Sequence, residues 1–319
     1  LDDYSALREM NQDNLSKKGK LFKPRDAKLF KPRNSLGNTG GQFYTAKNPE
    51  YGAVFTYHLN NVPKTSKSLR MQREKRLNTD NKDIPFPGYD KLTDEMNEKP
   101  ASIILTIKDS QGNHIRNVKK NASNGSSRIA WNLRHQSYYP VRAGRAQANS
   151  WFNPSGPYVT PGDYSAEIYL ENNGSIEKLD GPISFTVKPL REGTLKGASY
   201  DDYNSFRSRI SSLYVEVSKY QDEFNMMKSK VELLEKASLQ LESFSPEIIK
   251  KILDFKAKYN AFDSQTSGNP ARSEIGEWDK PTISMRIQIA MQGLSTSYGP
   301  TDLNKSNLDI AERLFEKLA

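Results

Sequence analysis

Ser102-Ile-Ile-Leu-Thr-Ile-Lys108, the turn Asp109-Ser-Gln-Gly-Asn113, His114-Ile-Arg-Asn-Val118 and Arg128-Ile-Ala-Trp-Asn-Leu133 form the stretch that decides the fold. Apolar residues alternate with polar ones, the period of a strand with one face buried, and Asn124-Gly125 marks a tight turn between two such runs. Working outward, Pro161-Gly-Asp-Tyr164 opens a strand to Leu170, Asn172-Asn-Gly174 turns it onto Ile176 to Leu179, and Ile183 to Val187 is the last strand. Upstream, Tyr51-Gly-Ala-Val-Phe-Thr-Tyr-His-Leu59 alternates in the same way and is expected to be the first. Short strands at regular spacing predict an antiparallel Ig-like β-sandwich.

After Leu190 the period changes. Ser199 is an N-cap with Asp201 and Asp202 in the first turn. Phe206, Ile210, Leu213, Val217, Tyr220, Phe224, Met227, Val231, Leu234, Ser238 and Leu241 then alternate by four and three. That seam implies a helix of about 60 Å. Pro246 starts a second helix, Pro281 a third, and a fourth ends at Leu318, with a polar loop holding Trp278 between the second and third. The seam suits either a dimerising coiled coil or an antiparallel helical bundle; three later segments can cover it, which favours the bundle. The expected organisation is thus multidomain α and β: 1–42 as the end of an upstream domain and a basic linker, 43–190 as the sandwich with an insertion at 60–100, and 191–319 as the bundle.

Composition narrows the functions. The 319 residues carry a formal charge of +9 and no cysteine, which excludes disulfides, thiolate metal sites and Cys nucleophiles. Mean hydropathy is -0.79, and no apolar run approaches the roughly 20 residues of a membrane span. The excess of basic residues invites an anionic partner, but no helix-turn-helix, zinc-finger or RNA-binding signature accompanies it, so no nucleic-acid partner is expected. Leu1 is not a start methionine and no signal-peptide pattern follows it, as expected of a processed chain or a fragment.

Two surfaces stand out. Lys20-Leu-Phe-Lys-Pro-Arg25 and Lys28-Leu-Phe-Lys-Pro-Arg33 form a near-repeat, read either as a linker or edge strand or as a basic arm. In the second reading Lys20, Lys23, Arg25, Lys28, Lys31 and Arg33 engage an acidic partner. The irregular loop from Gln136 to Thr160 carries Tyr138, Tyr139, Arg142, Trp151, Phe152 and Tyr158. Ring faces beside arginines suit a sugar or peptide; the same rings suit covering the open end of the sandwich. Between Leu59 and Ala101, a basic helix around Lys67 to Arg76, a rigid Ile84-Pro-Phe-Pro-Gly-Tyr89 loop and a helix from Leu92 to Glu98 are expected.

Catalytic signals are sparse. His58, His114 and His135 show no metal-ligand spacing, and no nucleophile elbow occurs. Asp109, Asp163, Glu167 and Glu171 are scattered and nominate no pair of opposed carboxylates. No cofactor, metal or catalytic residue is assigned.

Leu1-Asp-Asp-Tyr-Ser-Ala-Leu-Arg8 resembles the last strand of a β-propeller in exported bacterial proteins of the sialidase/VPS10-sortilin-like, BNR-repeat type. Gly41-Gln-Phe-Tyr-Thr-Ala-Lys-Asn-Pro49, Ile104 to Asn113, Arg128 to Arg134 and Val159-Thr-Pro-Gly-Asp-Tyr164 resemble the FlgD-type Ig-like domain that follows it. Asn132 stands where that pattern leads one to expect aspartate, so no role passes to that carboxylate. The resemblance implies export to the periplasm, the outer-membrane surface or the medium. It also implies that the upstream propeller of the same protein is a partner, with a cell-surface protein or polysaccharide as the ligand. The chain would then be a non-catalytic scaffold or binding module, or alternatively an accessory part of a propeller-borne glycoside hydrolase.

Overall fold

A computed structural model describes residues 3–32, 48–141, 156–193, 195–240, 245–296 and 298–318. The glycine turn at 34–42 and residues Arg33, Arg142, Trp151 and Phe152 lie outside them. The chain forms two compact units, Leu1–Gln136 with Val159–Glu192, and Ser137–Tyr158 with Gly193–Ala319.

In the first unit, a 3-10 turn at Ser5–Arg8 and α1 (Gln12–Ser16) lead into β1 (Gly19–Leu21), β2 (Ala27–Leu29) and β3 (Ala53–Leu59). The helices α2 (Ser66–Thr79) and α3 (Tyr89–Asn97) follow, then β4 (Ser102–Asp109), β5 (His114–Asn121), β6 (Gly125–Trp131), β7 (Gly162–Asn172) and β8 (Ser175–Pro189). One sheet has the order β1-β3-β6, all antiparallel; the other runs β2-β8-β7-β4-β5. Alternation does what the sequence predicts: β3 buries Ala53, Phe55, Tyr57 and Leu59 and turns the residues between them outward. Those side chains meet Ile103, Leu105, Ile107, Ile168 and Phe185 of the other sheet in one core around Trp131, which is 0% exposed. Trp131 donates its indole N–H to the Arg134 carbonyl at 2.9 Å, so its one polar atom is satisfied inside the core.

The expected antiparallel Ig-like sandwich followed by a helical bundle is not what forms. The five-stranded sheet is mixed and curled, with β2 parallel to β8 in the register Ala27↔Val187 and Leu29↔Pro189. β7 and β8 shift register between Ala166 and Tyr169. There β8 continues through Gly181, where a Cβ would meet the Ala166 carbonyl at 2.7 Å, and the expected separate strands at 176–179 and 183–187 are one. The near-repeat is the cause of the mixed pairing. Its first copy supplies β1 to one sheet and its second supplies β2 to the other, each a strand of three residues too short to show a period. Of the residues from 1 to 8, expected to resemble a propeller strand, Ser5–Arg8 form a 3-10 turn.

In the second unit, α4 (Tyr200–Ser238) is capped by the Ser199 hydroxyl, which accepts from the Asp202 N–H at 3.1 Å. It is followed by α5 (Pro246–Thr266), the short α6 (Pro270–Glu274), α7 (Ile283–Gln292) and α8 (Asp302–Glu316). Phe206, Ile210, Leu213 and Val217 of α4 share a core with Ile283, Ile287 and Ala290 of α7 and Leu308, Ala311 and Phe315 of α8. α5 adds no residue to that core. It lies along the far half of α4, where Phe262 stacks on Phe224 at 3.8 Å and Lys256 pairs with Glu235. Four helices around one centre are therefore replaced by a three-helix core and a separate helical hairpin, because the seam of α4 is longer than any partner that covers it.

Gly52 has φ +109, and a Cβ there would lie 2.0 Å from the Trp131 carbonyl. Gly52→Ala is expected to destabilise the first unit by about 2–4 kcal/mol through strain and displaced β3–β6 pairing, which a urea melt followed by Trp131 fluorescence checks.

Candidate binding site

Of the expected ligand residues, Tyr138, Tyr139 and Tyr158 are described, and all three are half-buried in the second unit. Tyr138 stacks on Tyr139 with ring centroids 5.3 Å apart, and Tyr214 of α4 packs against both, at 5.4 and 4.7 Å. Burial and the neighbouring Tyr214 push the Tyr139 phenol above its ordinary pKa. The Tyr203 hydroxyl lies 3.3 Å from the Tyr158 carbonyl and 3.2 Å from that of Leu294. Tyr203 and Tyr214 were missed in sequence. They are eleven residues apart, three helical turns, so they share one side of α4 next to the apolar seam; that repeat was the available signal. The rings of Tyr138 and Tyr139 form a clasp on α4.

The basic near-repeat is stitched into the sheets. Lys20 reaches Asp180 at 2.8 Å, and the same carboxylate accepts the Leu21 N–H at 2.9 Å. Burial opposes ionisation of Asp180, but Lys20 and the amides of Leu21 and Gly181 outweigh it and hold its pKa below the ordinary value. Arg25 pairs with Asp3 at 3.0 Å, with its guanidinium 5.8 Å from the Tyr4 ring centre. Lys23, Lys28 and Lys31 are exposed. The five described cations of the expected six therefore divide: Lys20 and Arg25 are ion-paired, and Lys23, Lys28 and Lys31 are exposed.

The outward face of the mixed sheet carries a charge cluster the sequence did not single out. Glu167, 6% exposed, accepts from Lys178 at 2.6 Å, Lys108 at 2.7 Å and the Tyr169 hydroxyl at 3.0 Å. Hydrogen bonds from Lys108 and then Lys178 lower its pKa to about 2 despite burial. A carboxylate so held stays ionised at neutral pH, which suits a strand clamp across β4, β7 and β8 and not proton donation. Among the described residues no group of three His, Cys, Asp or Glu side chains is placed to hold a metal.

The most exposed built feature is the excursion from Asn60 to Pro100. No residue of α2 or α3 is buried, yet the pair is fastened at its base, where α2 starts and α3 ends. Arg70 grips Glu95 with two bonds of 2.8 and 2.7 Å and Glu74 with a third of 2.8 Å. The Glu98 carboxylate accepts the Ser66 N–H at 2.6 Å, at the start of α2. Phe86, Tyr89 and Met96 are 64%, 80% and 86% exposed, and the Phe86 and Tyr89 rings meet edge-on at 5.1 Å between Pro85 and Gly88. Lys67, Arg73, Lys75 and Arg76 of α2 are exposed, as are Leu69 and Met71. The surface is apolar and cationic, displayed on two helices.

No protein-family model and no curated protein matches this chain.

Lowering of the Glu167 pKa from 4.5 to about 2 makes the clamp a pH-dependent contributor. Its stabilisation is complete above the unfolded value and is lost as pH falls from about 4.5 through about 2. Full linkage would amount to about 3 kcal/mol, and screening of the partly exposed lysines reduces this to about 1–2 kcal/mol. Glu167→Gln is expected to cost that amount at pH 7 and almost nothing at pH 2, measured by chemical denaturation at both pH values.

Proposed function

We propose that this chain is a non-catalytic scaffold and binding module of a larger exported cell-surface protein of the sialidase/sortilin-like propeller type, and that it engages another protein through the α2–α3 excursion. The observation that carries the reading is a display of apolar and cationic side chains, fastened at its base, with no residue of α2 or α3 buried. An excursion kept only for its own stability would cover Phe86, Tyr89 and Met96, since leaving large side chains in water forgoes about 1.5–3 kcal/mol each. Tyr, Met, Phe and Arg are also the residue types that dominate the centres of protein interfaces. Supporting the protein reading over a glycan one, the Tyr138 and Tyr139 rings are stacked on each other and on Tyr214, and so present little of the open ring face on which a sugar stacks.

A photo-crosslinking residue at position 89 in the parent protein, on its source cells, is expected to give protein adducts, with the same probe at exposed Gln111 as the control. Equal yields at both positions, or adducts to lipid or polysaccharide alone, overturn the assignment. Arg70→Ala tests the fastening itself: amide exchange in 66–97 is expected to accelerate at least tenfold with the sheets unchanged. Because Arg70 holds the Glu95 carboxyl below its ordinary pKa, the protection is expected to persist through the ordinary carboxylate range and to fade as the pH drops below it.

A further inference from the structure

α4 carries a second stripe along one flank of its seam, and Met227 and Leu234, expected in the seam, are exposed in it. The seam residues Phe206, Ile210, Leu213 and Val217, and farther along Phe224, turn toward α7, α8 and α5. At 3.6 residues per turn that flank reads Ser205, Ser208, Ser212, Glu216, Lys219, Glu223, Met226, Met227, Lys230, Leu233, Leu234 and Ala237. The first half of that side is polar, as expected of a helix facing water, with Val215 at its edge. Beyond Glu223 its composition reverses: Met226, Met227, Leu233 and Leu234 are 59%, 47%, 65% and 60% exposed. One helix face thus changes character midway, with no covering element from its own chain among the described residues. Large apolar side chains collected on one exposed patch mark an interaction surface.

The charges flanking the patch point to its occupant. Among the described residues Glu223 has only Lys219 near it, at 4.0 Å, and Lys230 makes no ion pair. If two copies of α4 pack antiparallel about a two-fold axis between Met226 and Met227, each Glu223 falls opposite the other copy's Lys230. Met226 and Met227 of both copies then meet at the axis, and Leu234 of each lies over the aliphatic stem of Lys219 of the other. Packing the helices parallel instead would place Lys230 beside Lys230 and Glu223 beside Glu223, which repel. A self-complementary stripe of this kind is what an isologous dimer requires. We infer that the far half of α4 is a homodimerisation surface, in which Met226, Met227, Leu233 and Leu234 of two copies pack antiparallel and Glu223 pairs with Lys230 across the axis. This surface is separate from the α2–α3 excursion and does not depend on it.

Sedimentation equilibrium of the full 319-residue chain from low to high micromolar concentration tests the inference. The mass is expected to rise reversibly from 36.2 kDa to twice that value. Leu233→Glu is expected to leave a monomer at every concentration with unchanged circular dichroism, since its side chain lies outside the folded core. Glu223→Lys and Lys230→Glu are each expected to weaken the dimer at least tenfold, and the double reversal to restore it to within a few-fold. A chain that stays monomeric, a dimer that survives Leu233→Glu, or a double reversal no tighter than either single one overturns the inference.

Discussion

Trp131 has to be buried from both sides at once, and the first unit is arranged around that requirement. Its indole meets Tyr164 at 5.5 Å and Phe185 at 6.1 Å on the facing sheet, while its own strand is held to β3 in the register Ala53↔Trp131. Gly52 lets the neighbouring chain pass close to the Trp131 carbonyl. Because the two sheets contribute to one core, the short edge strands β1 and β2 are not ornaments. They bring Leu21, 0% exposed, and Ala27, 3% exposed, into the core that holds Trp131.

The excess of basic residues serves different ends in different places. On the mixed sheet, Lys108 and Lys178 neutralise a buried carboxylate, and Lys119 reaches Glu171 at 2.7 Å while the Ser102 hydroxyl donates to the same group. These bonds cross strands, so they fix register as well as charge. At the edge strands, Lys18 pairs with Glu177, Lys20 with Asp180 and Lys188 with Asp26, joining β1 and β2 to β8 and the residues around it. On α2, by contrast, Arg70 is absorbed by Glu74 and Glu95, and the cations on its outer sides are offered to solvent. A net charge of +9 is therefore no single electrostatic footprint. Among the described residues it divides between clamps on the sheets and exposed cations such as those of α2.

The helical unit shows the same economy of cover. α4 is longer than the elements that pack on it, so its first half is sealed by α7 and α8 and its second half is covered along one side by α5. The tyrosine clasp uses a third side of the same helix. One long element thus offers different faces to a core, to a loop and to solvent, and the residues on each face match what they meet.

The sequence by itself determined the local elements. Alternation placed β3, β4, β5 and β6, the four-three spacing placed α4, and Ser199 and Pro246 marked helix starts that the structure keeps. Both follow from periods of two and 3.6 residues, which a single strand or helix imposes on its own residues. Only the tertiary structure decided how those elements pair. That Ala27 runs parallel to Val187, that α5 avoids the main helical core, and that Glu167 gathers Lys108 and Lys178 are contacts between residues far apart in the chain or on different strands. A strand of three residues carries no readable period, and no local pattern records which distant edge will accept it. The same holds for the candidate surfaces: Tyr138 and Tyr139 were legible as an aromatic cluster, but whether their rings face a ligand or a helix depended on Tyr214, seventy-five residues after Tyr139.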